Sequence, residues 1–271
     1  ARWHTAPALR QKLMGTILKS PEIKGDIVHV ARDNYGNILV IDDRKHRILS
    51  FDSVFEQSKI LRSAPQVPVH EYNRAMLLPL AFTTPGKVTV LGLGGGALAH
   101  GLFTLLPEAS IEVYELRRKV ADIAREWFSL PESDRLDIHI ADARVAVDNL
   151  PEAGTDMILT DLYSADRMSP AQSQRQFIKA CSRALSAQGW LVLNYHRMPE
   201  PDGNLLRELR RQFPLLLVFK SKTNNWVIYG HKQAIDPLPA DKARLNALEA
   251  RLPIGWRKLV NKLSRLAPPA E

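Results

Sequence analysis

Three carboxylates in the middle of the 271-residue chain each follow a short apolar segment. Glu115 ends one segment, Asp142 lies two residues beyond the next, and Asp161 directly follows a third. If these segments are parallel strands, their carboxyl ends meet at one edge of a sheet and the acids share a crevice. A carboxylate placed there can accept hydrogen bonds from ribose hydroxyls, hold a cationic group or take a proton from a nucleophile.

A glycine-rich turn precedes the acids and supplies the backbone for the same crevice. The β-branched run 88–91 leads into a cluster formed by Gly92, Gly94, Gly95 and Gly96. Glycine permits positive φ and lets the backbone approach a ligand closely. The unpaired N–H groups of the following helix favour polar or anionic ligand groups. Strand, turn and helix together predict a nucleotide site, and Glu115 lies 23 residues beyond Gly92, near the spacing of about 20 typical of a ribose-binding acid.

The position of each acid predicts a separate role. Glu115 is expected to accept from a ribose diol, and Asp142 either to accept from an adenine amino group or to cap its helix. Asp161 lies beyond the base and sugar, where it can take a proton from an attacking amine or hold a cation. Tyr163 and Asp166, in the following loop, are expected to line the same pocket. The eight histidines show no metal-ligand spacing, so no metal is predicted.

The elements that must position these residues alternate regularly from residue 88 onward. Strands are predicted at 88–92, 110–115, 136–140, 155–160 and 189–194, and helices at 96–106, 117–128, 142–149, 170–186 and 203–212. Two further runs, 215–219 and 226–229, are separated by a loop short enough to predict an antiparallel hairpin. The pattern predicts an α/β fold with a Rossmann-like, doubly wound, mostly parallel seven-stranded sheet that ends in the hairpin.

The remaining segments divide the chain into four predicted parts. These are a basic N-terminal arm at 1–21, a small antiparallel β annex at 22–62, a Rossmann-like nucleoside-binding catalytic domain at 63–230 and a C-terminal helical extension at 231–271. The arm is expected to form a short basic helix over 7–19, and the annex a three-stranded meander. A helix that starts at His70 is expected to carry His70 and Glu71 across the mouth of the crevice.

Charge and composition indicate which classes of partner and which cellular location to expect. The net charge of +8 is concentrated at the ends, with +4 in 1–24 and +4 in 231–271, so the body is neutral. Basic ends on a neutral body are typical of solvated tails, so a nucleic-acid partner is not expected. A single cysteine excludes an internal disulfide, and no apolar stretch approaches the ~20 residues of a membrane span. Without the apolar run of a signal peptide, a cytoplasmic location is predicted.

The motifs together resemble a known fold and, more narrowly, a known family. The glycine turn, Glu115, the pair Asp142-Ala143 and Asp161 resemble the S-adenosylmethionine-type Rossmann fold. From about residue 22 to 230 the chain resembles the spermidine synthase (polyamine aminopropyltransferase) family, which has a small N-terminal β-domain. The matching family elements are the Gln-x-Ser/Thr element at Gln57-Ser58, the Tyr-His-Glu triplet at Val69-His70-Glu71, the Gly-Gly-Gly-Asp-Gly motif at Gly94–Leu98 and the Asp-Ser-Ser-Asp-Pro loop at Asp161–Ala165.

The resemblance implies an activity and a set of site residues. It implies aminopropyl transfer from decarboxylated S-adenosylmethionine, bound as a co-substrate without a metal, to a small-molecule amine in a homodimer. Asp161 is the implied general base, and Tyr163 is the second predicted catalytic residue. His70, Glu71 and Asp166 are implied to hold substrate. The nucleoside would be held by Gly92, Gly94, Gly95, Gly96, Glu115, Asp142, Ala143 and Gln57.

Three positions depart from the family pattern. All three lie in the amine half of the site, the part that holds amine groups rather than the nucleoside. The acid of the glycine motif is Ala97, the second acid of the loop is Ser164 unless Asp166 replaces it, and the tyrosine of the triplet is Val69. The nucleoside half is therefore kept better than the amine half. Two alternatives stay open: a methyltransferase that uses S-adenosylmethionine itself, and a non-catalytic nucleoside-binding homologue.

Overall fold

A computed structural model of the chain describes residues 25–51, 55–164, 167–168 and 175–266. The basic helix predicted over 7–19 lies outside this part of the chain.

The N-terminal part is an antiparallel sheet with its strands in sequential order. The strands are β1 (Asp26–Asp33), β2 (Gly36–Asp42), β3 (His46–Phe51), β4 (Phe55–Leu61) and β5 (Ala64–Pro68). The predicted meander is present as β1 to β3, but the sheet has two more strands than the pattern indicated. β5 holds two prolines and β4 is largely polar, so neither has the alternation that signals a strand.

A short helical link and an alternating α/β region follow. The link contains α1 (Glu71–Met76) and a single 3₁₀ turn at Leu78–Ala81. The next elements are β6 (Lys87–Leu91), α2 (Ala97–Leu105), β7 (Ser110–Glu115), α3 (Arg118–Trp127), β8 (Leu136–Ile140), α4 (Ala143–Asn149), β9 (Thr155–Thr160), the two-residue strands β10 (Tyr163–Ser164) and β11 (Arg167–Met168), α5 (Arg175–Ala184), β12 (Leu185–Tyr195), α6 (Asn204–Gln212), β13 (Leu215–Lys220) and β14 (Trp226–His231).

The C-terminal extension contains α7 (Lys242–Arg251), α8 (Trp256–Val260) and β15 (Ser264–Arg265). Two helices were predicted here, and the second is shorter than expected because the chain turns back to pair with β13. Arg244 on α7 donates to the carbonyl oxygens of Leu80 and Thr83, which fastens the extension to the helical link. In the part of the chain that the structure describes, every helix is too short or too polar to cross a membrane.

The large sheet has the strand order β15-β13-β14-β12-β9-β6-β7-β8. Strands β8, β7, β6, β9 and β12 are parallel, and β14 and β13 form the antiparallel hairpin. The doubly wound topology is confirmed, but the sheet has eight strands rather than seven because two polar residues form β15. The order reverses beside β6, which places a crevice at the carboxyl ends of β6 and β9.

Burial explains why these strands occupy the centre. β6 and β9 are nearly continuous apolar runs covered by helices on both faces, as central parallel strands require. One core, with Trp190, Tyr229 and Trp256, lies on the side of α2, α7 and α8. The other, with Phe177 and Phe213, lies under α5 and α6. A third cluster packs the N-terminal sheet against α3 and the start of α2, so the small sheet lies beside the glycine turn.

Candidate active site

The glycine turn begins with a close approach between the ends of β6 and β9. The backbone N–H of Asp161 donates to the carbonyl oxygen of Leu91 at 2.9 Å. Gly92 has a φ of +91°, and a Cβ there would overlap the carbonyl oxygen of Asp161. Because both the conformation and the space exclude a side chain, only glycine places Asp161 directly against the turn.

The other glycines of the turn have different surroundings. Gly94 lines the cleft at the carboxyl edge of the sheet. A Cβ on Gly95 would lie 2.7 Å from the hydroxyl oxygen of Ser58, and one on Gly96 would lie 2.8 Å from a methyl of Leu130. Gly95 and Gly96 therefore let neighbouring segments pack behind the turn, and direct contact of these two glycines with a ligand stays a prediction.

The cleft brings together six of the residues predicted from the sequence. Its lining includes Gly92, Gly94, Glu115, Asp142, Ala143 and Asp161. The expected convergence of the three acids at one sheet edge is therefore observed. The lining also includes residues that the sequence did not single out, among them Phe51, Asn73 and Arg117. These come from the N-terminal sheet, the helical link and the residues after β7, and a motif search has no spacing by which to find them.

Glu115 is buried at the end of β7, with 8% of its surface exposed. Its carboxylate accepts from the N–H of Leu93 at 3.0 Å and from the N–H of Arg117 at 2.8 Å. Burial raises the pKa of Glu115, while these backbone hydrogen bonds counteract the rise. Each carboxylate oxygen has a second lone pair, so Glu115 can bind the turn and still accept from a diol.

Arg117 joins the N-terminal sheet to the cleft. Its guanidinium donates to both carboxylate oxygens of Asp33 at 2.8 and 2.9 Å and lies 4.6 Å from the ring centroid of Phe51. Arg117 is buried, and a paired, stacked guanidinium is well suited to such a position. The pair fixes the small sheet over the end of β7, so the sheet forms one wall of the cleft.

Asp142 caps helix α4. Its side chain accepts from the N–H of Arg144 at 2.8 Å. Burial acts to raise the pKa of Asp142, but the hydrogen bonds and charge of Arg144 outweigh it and lower the pKa. Of the two roles expected for this acid, capping is the one observed. Asp142 also lines the cleft, and its contact with an adenine amino group stays a prediction.

Asp161 is held by a chain of side-chain amides. The Nδ2 of Asn194 donates to its Oδ1 at 3.0 Å, and the Nδ2 of Asn225 donates to the Oδ1 of Asn194 at 3.1 Å. Thr223 donates to the Oδ1 of Asn225 at 3.2 Å, at the end of the amide chain away from Asp161. Burial raises the pKa of Asp161 to about 6, against the opposing effects of Asn194 and His70. A general base is most effective when its pKa lies near the working pH.

The hydrogen bond from Asn194 to Asp161 predicts how the rate of turnover depends on pH. Under the predicted general-base role, Asp161 must be ionised to take a proton, so turnover is expected to rise as the pH increases through about 6. Asn194→Leu removes a hydrogen bond that stabilises the ionised form, so the midpoint of this rise should move to higher pH. The measurement is the pH profile of kcat/KM for both proteins.

A matched variant separates this effect from general damage to the network. Thr223→Val removes the donor at the far end of the chain without touching Asp161, and it should keep the wild-type pH midpoint. An unchanged midpoint in Asn194→Leu would contradict the positioning of Asp161 by this amide.

His70 and Glu71 flank the start of α1, as the sequence predicted. His70 precedes the helix and stacks on Tyr72 with ring centroids 5.5 Å apart. Its electrostatic effect on Asp161 places it near the cleft. The carboxylate of Glu71 accepts from the N–H of Lys222 at 2.8 Å and from the Nζ of Lys262 at 2.6 Å. Glu71 therefore fastens the link to the β13–β14 turn and the C-terminal extension, and its contact with substrate stays a prediction.

Several predicted residues fall at the limits of the described structure. Asp166 and the side chains of Gln57 and Tyr163 lie outside it. The backbone register of β3 and β4 shifts between Leu49 and Ser50, and Gln57 lies at this irregularity. In the described ranges, no group of three His, Cys, Asp or Glu side chains could hold a metal ion.

Sequence comparison identifies two kinds of relatives, although no family model matches the chain. The chain is 31% identical over 183 residues to the eEF1A lysine and N-terminal methyltransferase of Xenopus laevis, covering 61% of this chain and 26% of that protein. It is 30% identical over 168 residues to the polyamine aminopropyltransferase of Neisseria meningitidis, covering 61% and 64%. It is 27% identical over 225 residues to that of Chromobacterium violaceum, covering 81% and 86%.

Solved structures confirm the fold. A probable spermidine synthase from Corynebacterium glutamicum superposes with a TM-score of 0.70 at 20% identity, covering 90% of this chain and 91% of the other. A spermidine synthase in complex with the transition-state analogue AdoDATO gives 0.65 at 17% identity, with 81% and 78% covered. Human methyltransferase-like protein 13 in complex with SAH gives 0.55 at 24% identity, with 71% and 93% covered.

These comparisons define the class of fold and two families of similar proteins. The fold is the Rossmann-like fold shared by methyltransferases and spermidine synthases, as predicted. The predicted resemblance to the polyamine aminopropyltransferases is confirmed, and both kinds of relatives are enzymes. The chain spans about a quarter of the Xenopus protein and just under two thirds of the Neisseria protein.

Proposed function

We propose that this protein is a spermidine synthase-like transferase. It moves an aminopropyl group from decarboxylated S-adenosylmethionine to a small amine acceptor, with Asp161 as the general base. The observation that carries the proposal is the position of Asp161, a carboxyl with a pKa of about 6 beside the glycine turn and in one cleft with Glu115. Similarity to the polyamine aminopropyltransferases supports this choice of reaction.

The donor spans the cleft from β8 to β9. Its ribose hydroxyls donate to Glu115, and its adenine lies toward Asp142 and Ala143. The sulfonium then lies near the glycine turn, with its reacting carbon facing Asp161. Two solved neighbours, one in complex with AdoDATO and one with SAH, support an S-adenosylmethionine-related ligand for this cleft.

The reaction is a single displacement. The acceptor enters as an ammonium group and first loses a proton to the carboxylate of Asp161, which frees the lone pair of its nitrogen. The lone pair forms a carbon–nitrogen bond as the carbon–sulfur bond breaks, and the bonding electrons return to sulfur. The products are the alkylated amine and neutral methylthioadenosine. Since the sulfonium is already a good leaving group, the protein needs to supply alignment and a base.

A second candidate is methyl transfer from S-adenosylmethionine itself. Two observations favour it: the similarity to the eEF1A lysine and N-terminal methyltransferase, and Ala97 in place of the acid of the glycine motif. The same cleft and the same base serve this reaction, and the leaving group is then S-adenosylhomocysteine. A non-catalytic nucleoside-binding homologue would keep the cleft without turnover.

Calorimetric titration followed by product analysis distinguishes these candidates. Decarboxylated S-adenosylmethionine is expected to bind more tightly than the intact donor, and methylthioadenosine to bind as well. Mass spectrometry of a reaction with diamines should then show methylthioadenosine and an aminopropylated amine. Tighter binding of the intact donor together with methylated products would replace the proposal with methyl transfer. Binding of NAD alone would overturn the nucleoside assignment, and donor binding without any product would indicate a non-catalytic homologue.

A further inference from the structure

Arg117 occupies a helix-start position that normally suits a different kind of side chain. It directly precedes α3, and its side chain makes no capping hydrogen bond to that helix. Ser, Thr, Asp and Asn stabilise such a position, because their oxygens accept from the first free N–H groups of the helix. The guanidinium of Arg117 instead reaches the small N-terminal sheet, so the role of this side chain lies outside helix capping.

The guanidinium is clamped at the end of the β1–β2 hairpin. It donates to both carboxylate oxygens of Asp33 at 2.8 and 2.9 Å and to the carbonyl oxygen of Gly36 at 3.1 Å. The side chain of Arg117 is 9% exposed, and its guanidinium carbon lies 4.6 Å from the ring centroid of Phe51. Paired hydrogen bonds between a guanidinium and a carboxylate fix orientation as well as distance, so these contacts hold Arg117 firmly on the small sheet.

The backbone of the same residue holds the acid of the predicted ribose site. The N–H of Arg117 donates to Oε1 of Glu115 at 2.8 Å, while Oε2 accepts from the N–H of Leu93 at 3.0 Å. Burial raises the pKa of Glu115, and both the N–H and the charge of Arg117 oppose that rise. Arg117 therefore orients one oxygen of Glu115 and favours the ionised form of its carboxyl group.

A ribose diol is sensitive to the orientation of this carboxylate, because hydrogen bonds weaken steeply when donor and acceptor are misaligned. Glu115 and Arg117 line the cleft, and Asp33 lies outside the lining. A change at Asp33 therefore reaches a bound ribose through Arg117 rather than by direct contact.

We propose that Arg117 is a positioning residue for ribose recognition, with its clamp on Asp33 fixing the N–H that orients the carboxylate of Glu115. The inference rests on the proposed function in one respect, because it assumes that a ribonucleoside occupies the cleft. It does not depend on which group is transferred. It makes the affinity for a ribonucleoside depend on a contact between the small N-terminal sheet and the large sheet.

Calorimetry with methylthioadenosine and its 2′-deoxy analogue tests this role, because the analogue lacks one hydroxyl of the diol. The wild type should prefer methylthioadenosine by ~10-fold or more, the size of a hydrogen bond to a charged group. Asp33→Asn keeps the size of the side chain but places an amide nitrogen against the guanidinium, so the paired hydrogen bonds are lost. This variant should bind methylthioadenosine ~10-fold more weakly and the analogue within ~2-fold of the wild type. Arg117→Lys keeps the charge but cannot make two parallel hydrogen bonds, so it should lose the same preference.

Asp42→Asn is the matched control. Asp42 on β2 also binds an arginine through both carboxylate oxygens, with both distances to Arg47 at 2.7 Å. Arg47 likewise joins the small sheet to the α/β region, since it donates to the carbonyl oxygen of Trp127 on α3. Loss of this second pair should lower the melting temperature about as much as Asp33→Asn does, while the preference for methylthioadenosine over the analogue stays within ~2-fold of the wild type.

The outcomes separate this role from the proposed function. Equal losses for the two ligands in Asp33→Asn would show that the clamp only supports a wall of the cleft, and would overturn the inference. The same loss of preference in Asp42→Asn would also overturn it, because general loosening of the small sheet would then explain the effect. If Asp33→Asn does not fold, Arg117→Lys decides between these outcomes. A wild type that binds neither ligand would overturn the inference and the proposed function together, whereas a ribose preference that depends on Asp33 without any transfer product would overturn the proposed function alone.

Discussion

Asp161→Asn is expected to lower turnover by about two to four orders of magnitude while leaving methylthioadenosine affinity within ~2-fold of the wild type. The loss follows from the reaction, because an amide cannot take the proton that the acceptor amine must release. The fold should tolerate the change, because asparagine has the shape of aspartate and its oxygen can still accept from the Nδ2 of Asn194. Single-turnover kinetics and calorimetry measure the two quantities separately.

The control for this prediction removes a carboxylate outside the cleft. Asp137 lies on β8 with its side chain 68% exposed, beside His139, and Asp137→Asn should keep both turnover and nucleoside affinity. Wild-type turnover in Asp161→Asn would remove the general-base assignment. Loss of nucleoside binding in the same variant would instead show that Asp161 holds the donor.

Gly92→Ala is expected to lower the free energy of unfolding by about 2–5 kcal/mol. Two effects add. The φ of +91° strains any residue with a Cβ, and that Cβ would overlap the carbonyl oxygen of Asp161. Relief of the overlap must separate β6 from β9, so any folded fraction should also bind methylthioadenosine more weakly. Chemical denaturation and calorimetry measure the two losses.

Gly86→Ala is the matched control. Gly86 precedes β6, its φ is not in the left-handed region, and an added Cβ would lie 3.6 Å from its nearest neighbour, an oxygen of Asp156. This variant should change the free energy of unfolding by less than about 1 kcal/mol. A similar stability for Gly92→Ala and Gly86→Ala would show that the backbone can move at Gly92 without loss, contrary to the close approach described above.

The sequence alone determined the parallel half of the large sheet and the edge at which the cleft forms. Strands β7, β8 and β9 have the bounds predicted from the sequence, because β7 and β8 alternate apolar and polar residues and β9 is a nearly continuous apolar run. Acids at the ends of such strands have to share one edge, and Glu115, Asp142 and Asp161 do line one cleft. The glycines were visible for the same reason, since a turn of this kind needs residues without side chains.

Tertiary structure decided the elements and residues whose sequences carry no periodic signal. Strands β5 and β15 form because partner strands offer hydrogen bonds, although prolines or polar residues dominate their sequences. Glu71 lies next to His70 in the motif, but its carboxylate binds Lys262 from the C-terminal extension. That pairing depends on how the extension folds back, which local sequence does not specify.

The polar residues around Asp161 likewise show which features of the site the sequence specifies and which depend on tertiary structure. Asn194 lies within an apolar segment, where a single amide looks like an ordinary interruption of the hydrophobic pattern. Only the pairing of β12 with β9 shows that this amide donates to the carboxylate of Asp161. Period and composition specify which segments are buried, whereas the chemistry of the site depends on contacts between segments far apart in the chain.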